Sequence, residues 1–104
     1  MLDKSFGLLF YLKKHKNHNK GPVPIYSRIT VDGIPKELST KRACESIRWN
    51  SAAERASGTK EDVRALNVYL DTLQAKVYEA KRQLIETNQL VTASSIKDSL
   101  LGNI

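Results

Sequence analysis

A run of apolar residues spaced three and four apart constrains the fold of this chain more than any other feature. The run consists of Val63, Leu66, Leu70, Leu73, Val77, Ala80 and Leu84, and no Gly or Pro interrupts the segment before Thr87. This spacing puts every apolar side chain on one face of an α-helix. Thr59 is expected to act as the N-cap, and Glu61 and Asp62 suit the positive end of the helix dipole. The sequence therefore predicts a long amphipathic helix, roughly 40 Å in length.

A second, shorter helix is expected after the turn-like residues 87–89. Thr92 can cap it, Ile96 and Leu100 share one of its faces, and Gly102 ends it. Ile96, Leu100 and Leu101 could fold back on the end of the long helix, but two helices leave an open apolar seam. We therefore expect residues 59–104 to be the beginning of a helical bundle. A homodimeric coiled coil is the alternative use of the long stripe.

The N-terminal part reads as three strands, around residues 6–13, 24–32 and 34–39. In the second strand, apolar residues alternate with polar residues, so one face is apolar and the other is exposed to solvent or to a partner. The residues Ala43 to Gly58 carry no clear period and are expected to pack as an irregular flap. The predicted fold class is α+β: a small three-stranded antiparallel sheet, then a long amphipathic helix and a short second helix.

The dipeptide Asp32-Gly33 lies between two alternating segments and predicts a hairpin, because both turn positions tolerate positive φ. A two-residue turn would pair Arg28 with Glu37 and Ile29 with Lys36, and would put Leu38 on the apolar face. A three-residue turn would shift this register by one residue, so both registers remain open at this point.

Positive charge is concentrated at the N-terminal end. Met1 to Arg42 holds nine basic and three acidic residues and so carries the whole net charge of +6, whereas Ala43 to Ile104 has eight of each. A polyanion is the natural partner of such a distribution, although lysine-rich loops also serve solubility. Charge alone does not separate these two interpretations.

Size and composition exclude several classes of protein. A chain of 104 residues is too short for a large catalytic domain. Its longest apolar run, Leu8 to Leu12, is far shorter than a membrane span of about 20 residues. The N-terminus lacks the pattern of a secretory signal, and Cys44 is the single cysteine, so we expect a cytoplasmic protein. His15, His18 and Cys44 do not make a closed zinc site, and no cofactor is expected.

Three segments together resemble a known family: PVPIYSRITVDGIPKELST at residues 22–40, Trp49, and ALNVYLDTLQAKVYEAKRQLIETNQLVTASSIKDSLLG at residues 65–102. They resemble the N-terminal part of Bacteroidetes-type tyrosine recombinases, the phage integrase family. The resemblance covers nearly the whole chain. Family members often have Gly at the position of Lys41 and a Pro-containing turn before the Trp, so the path of residues 41–50 is left open.

The resemblance implies an organisation and a function. Residues 1–58 would form an arm-type DNA-binding domain, and residues 59–104 would form the long helix and the start of a helical, SAM-like core-binding domain. The catalytic arginines, the His-x-x-Arg motif and the nucleophilic Tyr of the family lie in a further domain, so no catalysis is expected in this chain. Its partners would be double-stranded DNA, other recombinase subunits and the C-terminal domains, with no membrane and no small-molecule substrate.

The exposed face of the second strand is the expected DNA contact, with Arg28 as the reader of base edges and Tyr26 and Thr30 beside it. Side chains expected to hold phosphates are Lys13, Lys14, Lys16, Lys20, Lys36, Lys41 and Arg42. For this role, the outward side of residues 26–30 should not be covered by acidic side chains or by packed protein. The alternative role for Arg28 is that it only pairs with Glu37. The alternative functions for the whole chain are a protein-interaction module that dimerises, a freestanding DNA-binding accessory protein, or an RNA-binding protein.

Overall fold

A computed structural model describes residues 5–14 and 21–102. Three strands come first: β1 (Phe6–Leu12), β2 (Val23–Val31) and β3 (Ile34–Cys44). A 3₁₀ turn (Ser46–Arg48) and the short strands β4 (Trp49–Asn50) and β5 (Arg55–Ala56) follow. The chain continues with helices α1 (Glu61–Glu86) and α2 (Ala93–Leu100). The predicted α+β fold class is confirmed.

Strands β1, β2 and β3 form an antiparallel sheet with β2 in the middle. The β2–β3 hairpin turns on Asp32 and Gly33, whose φ angles are 52° and 80°. This left-handed geometry is what Asp-Gly favours in a two-residue turn. Arg28 pairs with Glu37 and Ile29 pairs with Lys36, so the two-residue register is the one that forms.

Strand β3 extends to Cys44, beyond its predicted end near residue 39. The extension is possible because β3 contains a bulge: Ser39 lies opposite Tyr26, whereas Arg42 lies opposite the preceding residue, Ile25. The Thr40 hydroxyl donates a hydrogen bond to the Ile25 carbonyl at 2.7 Å, and Lys41 has a left-handed φ of 64°. The position where the resembling family often has Gly is thus a position where the backbone favours Gly.

The segment expected to be an irregular flap contains regular structure instead. Trp49 pairs with Ala56 in a small antiparallel hairpin. Glu54, in the turn of this hairpin, accepts a hydrogen bond from the backbone N–H of Phe10 at 2.9 Å. The hairpin therefore covers part of the open edge of β1, which would otherwise be available for pairing with another chain.

Helix α1 begins one residue later than the expected N-cap implies. Its N-cap is Lys60, which makes no side-chain capping hydrogen bond, so the prediction of Thr59 as the cap is wrong. An acceptor comes instead from Asp62, whose carboxylate accepts from the N–H of Val63 at 2.9 Å. The predicted end before Thr87 is confirmed, since Thr87 is the C-cap.

The apolar stripe of α1 takes part in two hydrophobic clusters. Toward its N-terminus, Val63 and Leu70 pack with Phe10, Ile25 and other residues of the sheet and the β4–β5 hairpin. Toward its C-terminus, the helix contributes to a second cluster of buried residues from the sheet and both helices: Ile29, Val31, Val77, Ala80, Leu84, Ala93 and Ile96. The expected open seam is therefore wrong for the described residues, because sheet, hairpin and α2 together cover the stripe.

Helix α2 is fixed at its N-terminus by a capping box, in which Thr92 and Ser95 exchange side-chain-to-backbone hydrogen bonds of 2.9 Å. Ile96 is fully buried, whereas Leu101 remains 50% exposed. Both clusters combine residues from before and after position 58; the division into domains 1–58 and 59–104 stays a prediction. Across residues 5–14 and 21–102, neither helix has the length and apolarity needed to cross a bilayer.

Candidate nucleic-acid interface

The sheet has one face that packs on the helices and one that does not. Along β2, the side chains of residues 23, 25, 27, 29 and 31 are buried, and those of residues 24, 26, 28 and 30 are partly exposed. The two hydrophobic clusters lie on the buried side. We call the other side the open face; its outward-facing residues include Leu9, Tyr11, Lys13, Tyr26, Arg28, Thr30, Glu37 and Ser39.

A carboxylate lies at the centre of the open face. Glu37 lies across the ladder from Arg28, whose Nη2 is 3.2 Å from Glu37 Oε2, and Lys13 Nζ is 2.5 Å from Oε1. The hydroxyl of Tyr11 also donates to this carboxylate. Hydrogen bonds from Lys13, Tyr11 and Arg28 lower the pKa of Glu37 from 4.5 to about 2. Glu37 is therefore ionised at every pH at which DNA binding would be measured.

Each of the two cations paired with Glu37 also lies over an aromatic ring. Lys13 Nζ lies 4.7 Å from the ring centre of Tyr26, and the guanidinium carbon of Arg28 lies 4.9 Å from that of Tyr11. The hydrogen bond to Glu37 raises the pKa of both Lys13 and Arg28. Burial, followed by the hydrogen bond to Glu37, raises the pKa of the Tyr11 hydroxyl. We call Tyr11, Lys13, Tyr26, Arg28 and Glu37 the Glu37 cluster. The cluster thus carries two positive charges and one negative charge.

We expected that neither acidic side chains nor packed protein would cover this face, and the structure meets this expectation only in part. No packed segment of the described chain covers the Tyr26 to Thr30 ribbon, but one acidic side chain, Glu37, lies beside it. Glu37 is the single acidic residue in β1, β2 and β3. Its side chain is 31% exposed, and the two paired cations outnumber its charge.

The structure brings some of the predicted DNA-contacting residues together and separates others. Lys13, Tyr26, Arg28 and Thr30 share the open face. Lys36 and Arg42 lie opposite Ile29 and Ile25, on the helix side of the sheet. Lys14 follows β1 and Lys41 occupies the bulge, both exposed. Lys16 and Lys20 lie outside the described residues.

Arg42 has a defined contact on the helix side. Its guanidinium carbon lies 4.0 Å from the ring centre of Tyr69, and its Nη1 donates to the Lys41 carbonyl at 3.3 Å. The Tyr69 hydroxyl in turn donates to the Thr40 carbonyl at 2.8 Å. These contacts fasten the bulged end of β3 to α1, which is a structural role for Arg42.

Sequence reasoning missed Tyr11 as a member of this cluster and treated Glu37 only as a pairing partner. In β1, the residues Leu8 to Leu12 are apolar or aromatic without alternation, so the pattern does not show which side chains face outward. The hydroxyl that distinguishes Tyr11 from Phe10 is the one available signal. Phe10 is buried, and its neighbour faces solvent.

No metal-binding cluster occurs in the part of the chain that the structure describes, where no three His, Cys, Asp or Glu side chains are grouped suitably. Cys44 is buried, and burial raises the pKa of its thiol. His15 and His18 lie outside the described residues.

Comparison with known proteins adds an independent finding. Residues 10–97 match the sequence model of a protein family described as "Arm DNA-binding domain". The match covers more than half of the chain and runs from β1 into α2. No curated protein and no solved structure matches the chain.

Proposed function

The chain belongs to the Arm DNA-binding domain family, and on this premise we propose that it binds arm-type duplex DNA with the open face of its sheet. The observation that carries the proposal is the group of Lys13, Tyr26 and Arg28 on a face that neither helix covers. A β-ribbon or small sheet can enter the major groove and present such side chains to base edges.

In this proposal, some residues of the open face contact base edges and others contact phosphates. Arg28 can donate two hydrogen bonds to the O6 and N7 atoms of guanine, the commonest specific contact of proteins with DNA. Tyr26 and Thr30 flank it and would contact phosphate, base edges or a thymine methyl group. Lys13, Lys14 and Lys41 are placed near the ends of the strands, where the phosphate backbones would pass.

We further propose that this domain is the N-terminal part of a site-specific tyrosine recombinase of a mobile element, acting in DNA integration and recombination. The support is the family match, together with the resemblance of residues 22–40 and 65–102 to Bacteroidetes-type recombinases. In this proposal the chain itself holds arm-type sites and performs no catalysis, other domains cut and rejoin DNA at the crossover, and the protein acts in the cytoplasm. Residues 59–104 would lead into a SAM-like core-binding domain, and other recombinase subunits would be its partners.

The alternative of a protein-interaction module that dimerises through α1 has less support. Val63, Leu70, Val77, Ala80 and Leu84 are all buried within the chain. A coiled coil through this stripe would require α1 to leave the sheet and α2, which would expose both hydrophobic clusters.

Binding to a fluorescently labelled duplex, measured by anisotropy from roughly 50 to 200 mM salt, tests the DNA proposal. If about six cations engage phosphates, the slope of log K against log salt concentration should be near −5. Arg28→Ala should weaken binding. Arg82→Ala is the matched control, because Arg82 lies on α1 and is paired with Glu79 and Glu86.

Two kinds of result would overturn the proposal. One is the absence of binding, or binding that does not depend on salt. The other is a preference for single strands over the duplex, which would favour the RNA alternative.

A further inference from the structure

The acidic residue on the open face is unexpected in a surface that binds a polyanion. Glu37 lies between Lys13 and Arg28, the two cations best placed to meet DNA. A phosphate that approached either cation would be repelled by this carboxylate and would have to compete with it. An acid at this position weakens indiscriminate binding, so its presence calls for a function that a phosphate clamp alone does not have.

The hydrogen bonds of Glu37 leave room for a further partner. Its two oxygens accept from Lys13 Nζ, Tyr11 Oη and Arg28 Nη2. A carboxylate has about four lone-pair positions, so the contacts with the described residues leave one acceptor position. The side chain is 31% exposed and belongs to a cross-strand pair at the middle of the sheet. That remaining position is open to a donor from outside the protein.

Among the groups of the major groove, amino groups can use such an acceptor. Cytosine presents its N4 amino group as a donor, and glutamate is a known acceptor for it. Guanine and thymine present O6 or O4 acceptors, and adenine presents its N7 acceptor beside its N6 amino donor, so each of these bases would leave the carboxylate facing another acceptor atom. Arg28 has five N–H donors, of which the contact with Glu37 uses Nη2, so its guanidinium can still address guanine.

We infer that Glu37 is a specificity-determining residue: in the free protein it holds Lys13 and Arg28, and in the complex its carboxylate accepts from the N4 amino group of a cytosine beside the base read by Arg28. This inference rests on the proposed DNA-binding function. Random duplex must draw the two cations away from Glu37 without satisfying the carboxylate. A matching site satisfies both the cations and the carboxylate. The difference in binding free energy between a matching site and random duplex is the sequence specificity that Glu37 provides.

The test selects from a pool of duplexes with a randomised central segment, followed by sequencing of the bound fraction, with affinity for unselected duplex measured in parallel. Glu37→Gln should bind unselected duplex about three- to tenfold more tightly, because one repulsive charge is lost and two cations are released. It should also lose the preference for cytosine at one position while keeping the guanine preference of Arg28.

Two further variants separate charge removal at this site from other effects. Glu79→Gln is the matched control, because it also removes one acid that is paired with an arginine, on the exposed side of α1. It should leave both affinity and selected sequence as in the wild type. Glu37→Asp keeps the charge and should keep weak binding to unselected duplex. Thermal unfolding of each variant shows that it is folded.

The outcomes distinguish the inference from the function on which it rests. If the wild type binds duplex but Glu37→Gln selects the same sequence with the same affinity, the inference is overturned and DNA binding stands. The same holds if Glu79→Gln changes binding as much as Glu37→Gln, or if the wild type selects no sequence. If the wild type does not bind duplex at all, both are overturned.

Discussion

Arg42 stacks on Tyr69, with 4.0 Å between the guanidinium carbon and the ring centre, on the side of the sheet opposite to Arg28. The two arginines lie in adjacent strands of one sheet and carry the same charge. They nevertheless have different surroundings. Arg42 contacts an aromatic ring on the helix side of the sheet, whereas Arg28 lies on the open face. This difference makes them a matched pair for separating stability from DNA binding.

We expect Arg28→Ala to reduce DNA affinity by about tenfold or more, because a bidentate arginine–guanine contact contributes about 1–3 kcal/mol of discrimination. Arg42→Ala should instead lower the free energy of unfolding by about 0.5–1 kcal/mol, through loss of the contact with Tyr69. Anisotropy titrations and denaturant unfolding of both variants measure the two effects. Equal losses of affinity in both variants would show that the side of the sheet does not matter.

Replacing Lys41 with Gly should stabilise the domain. Lys41 has a φ of 64°, a conformation that costs a residue with a Cβ atom about 1–2 kcal/mol and costs Gly little. Gly loses more backbone entropy on folding, so we expect a net gain of about 0.5–1 kcal/mol in the free energy of unfolding. Chemical denaturation measures the gain.

The control for this variant is Lys36→Gly, in the regular part of β3, which should be destabilising. Both variants remove one lysine, so the change in net charge is the same. A loss of stability in Lys41→Gly as large as that in Lys36→Gly would contradict the argument from backbone conformation.

The Glu37 cluster predicts a specific dependence of stability on pH. The pKa of Glu37 is lowered from 4.5 to about 2, so the folded state favours the ionised carboxylate. Glu37 therefore contributes its full stabilisation above pH 4.5 and loses it as the pH falls toward about 2. The difference in melting temperature between wild type and Glu37→Gln should shrink over this interval. A difference that stays constant across the interval would argue against the lowered pKa.

Glu54 should protect the edge of β1. Its carboxylate accepts from the N–H of Phe10 at 2.9 Å, and a hydrogen bond to a charged group contributes about 1.5–3 kcal/mol when partly buried. We expect Glu54→Ala to lower the free energy of unfolding toward the lower end of this range and to increase self-association. Light scattering over a concentration series detects the second effect, and Glu61→Ala, an exposed acid on α1, is a suitable control. Unchanged stability and unchanged self-association would contradict this role.

The regular parts of the fold were predictable because their periods are clear. Alternation in β2, Asp-Gly at the turn and the stripe of α1 each follow from local geometry, and the pairing of Arg28 with Glu37 follows from turn length. The bulge at Thr40 and Lys41 was not predictable, because Lys carries no signal for a left-handed φ. The N-cap at Lys60 was missed because Asp62 supplies an acceptor that a capping rule assigns to Thr59.

The candidate site was predictable in part for the same reason. The outward-facing residues of β2 follow from alternation, whereas Tyr11 lies in a strand whose residues are apolar on both sides. The helix side of Arg42 follows from alternation along β3, but the bulge places Arg42 opposite Ile25 instead of Val23, a pairing that turn length alone does not predict. Long-range contacts such as that between Arg42 and Tyr69 have no signature in local sequence.

The two-residue turn at Asp32 and Gly33 also limits how this domain can be redesigned. Because side chains alternate along a strand, one inserted residue in the turn would send Glu37 to the helix side and Lys36 to the outer surface. Changing the length of this turn by one residue would therefore disrupt the open face instead of retargeting it. New target sequences have to come from exchanging individual side chains on a backbone of constant length.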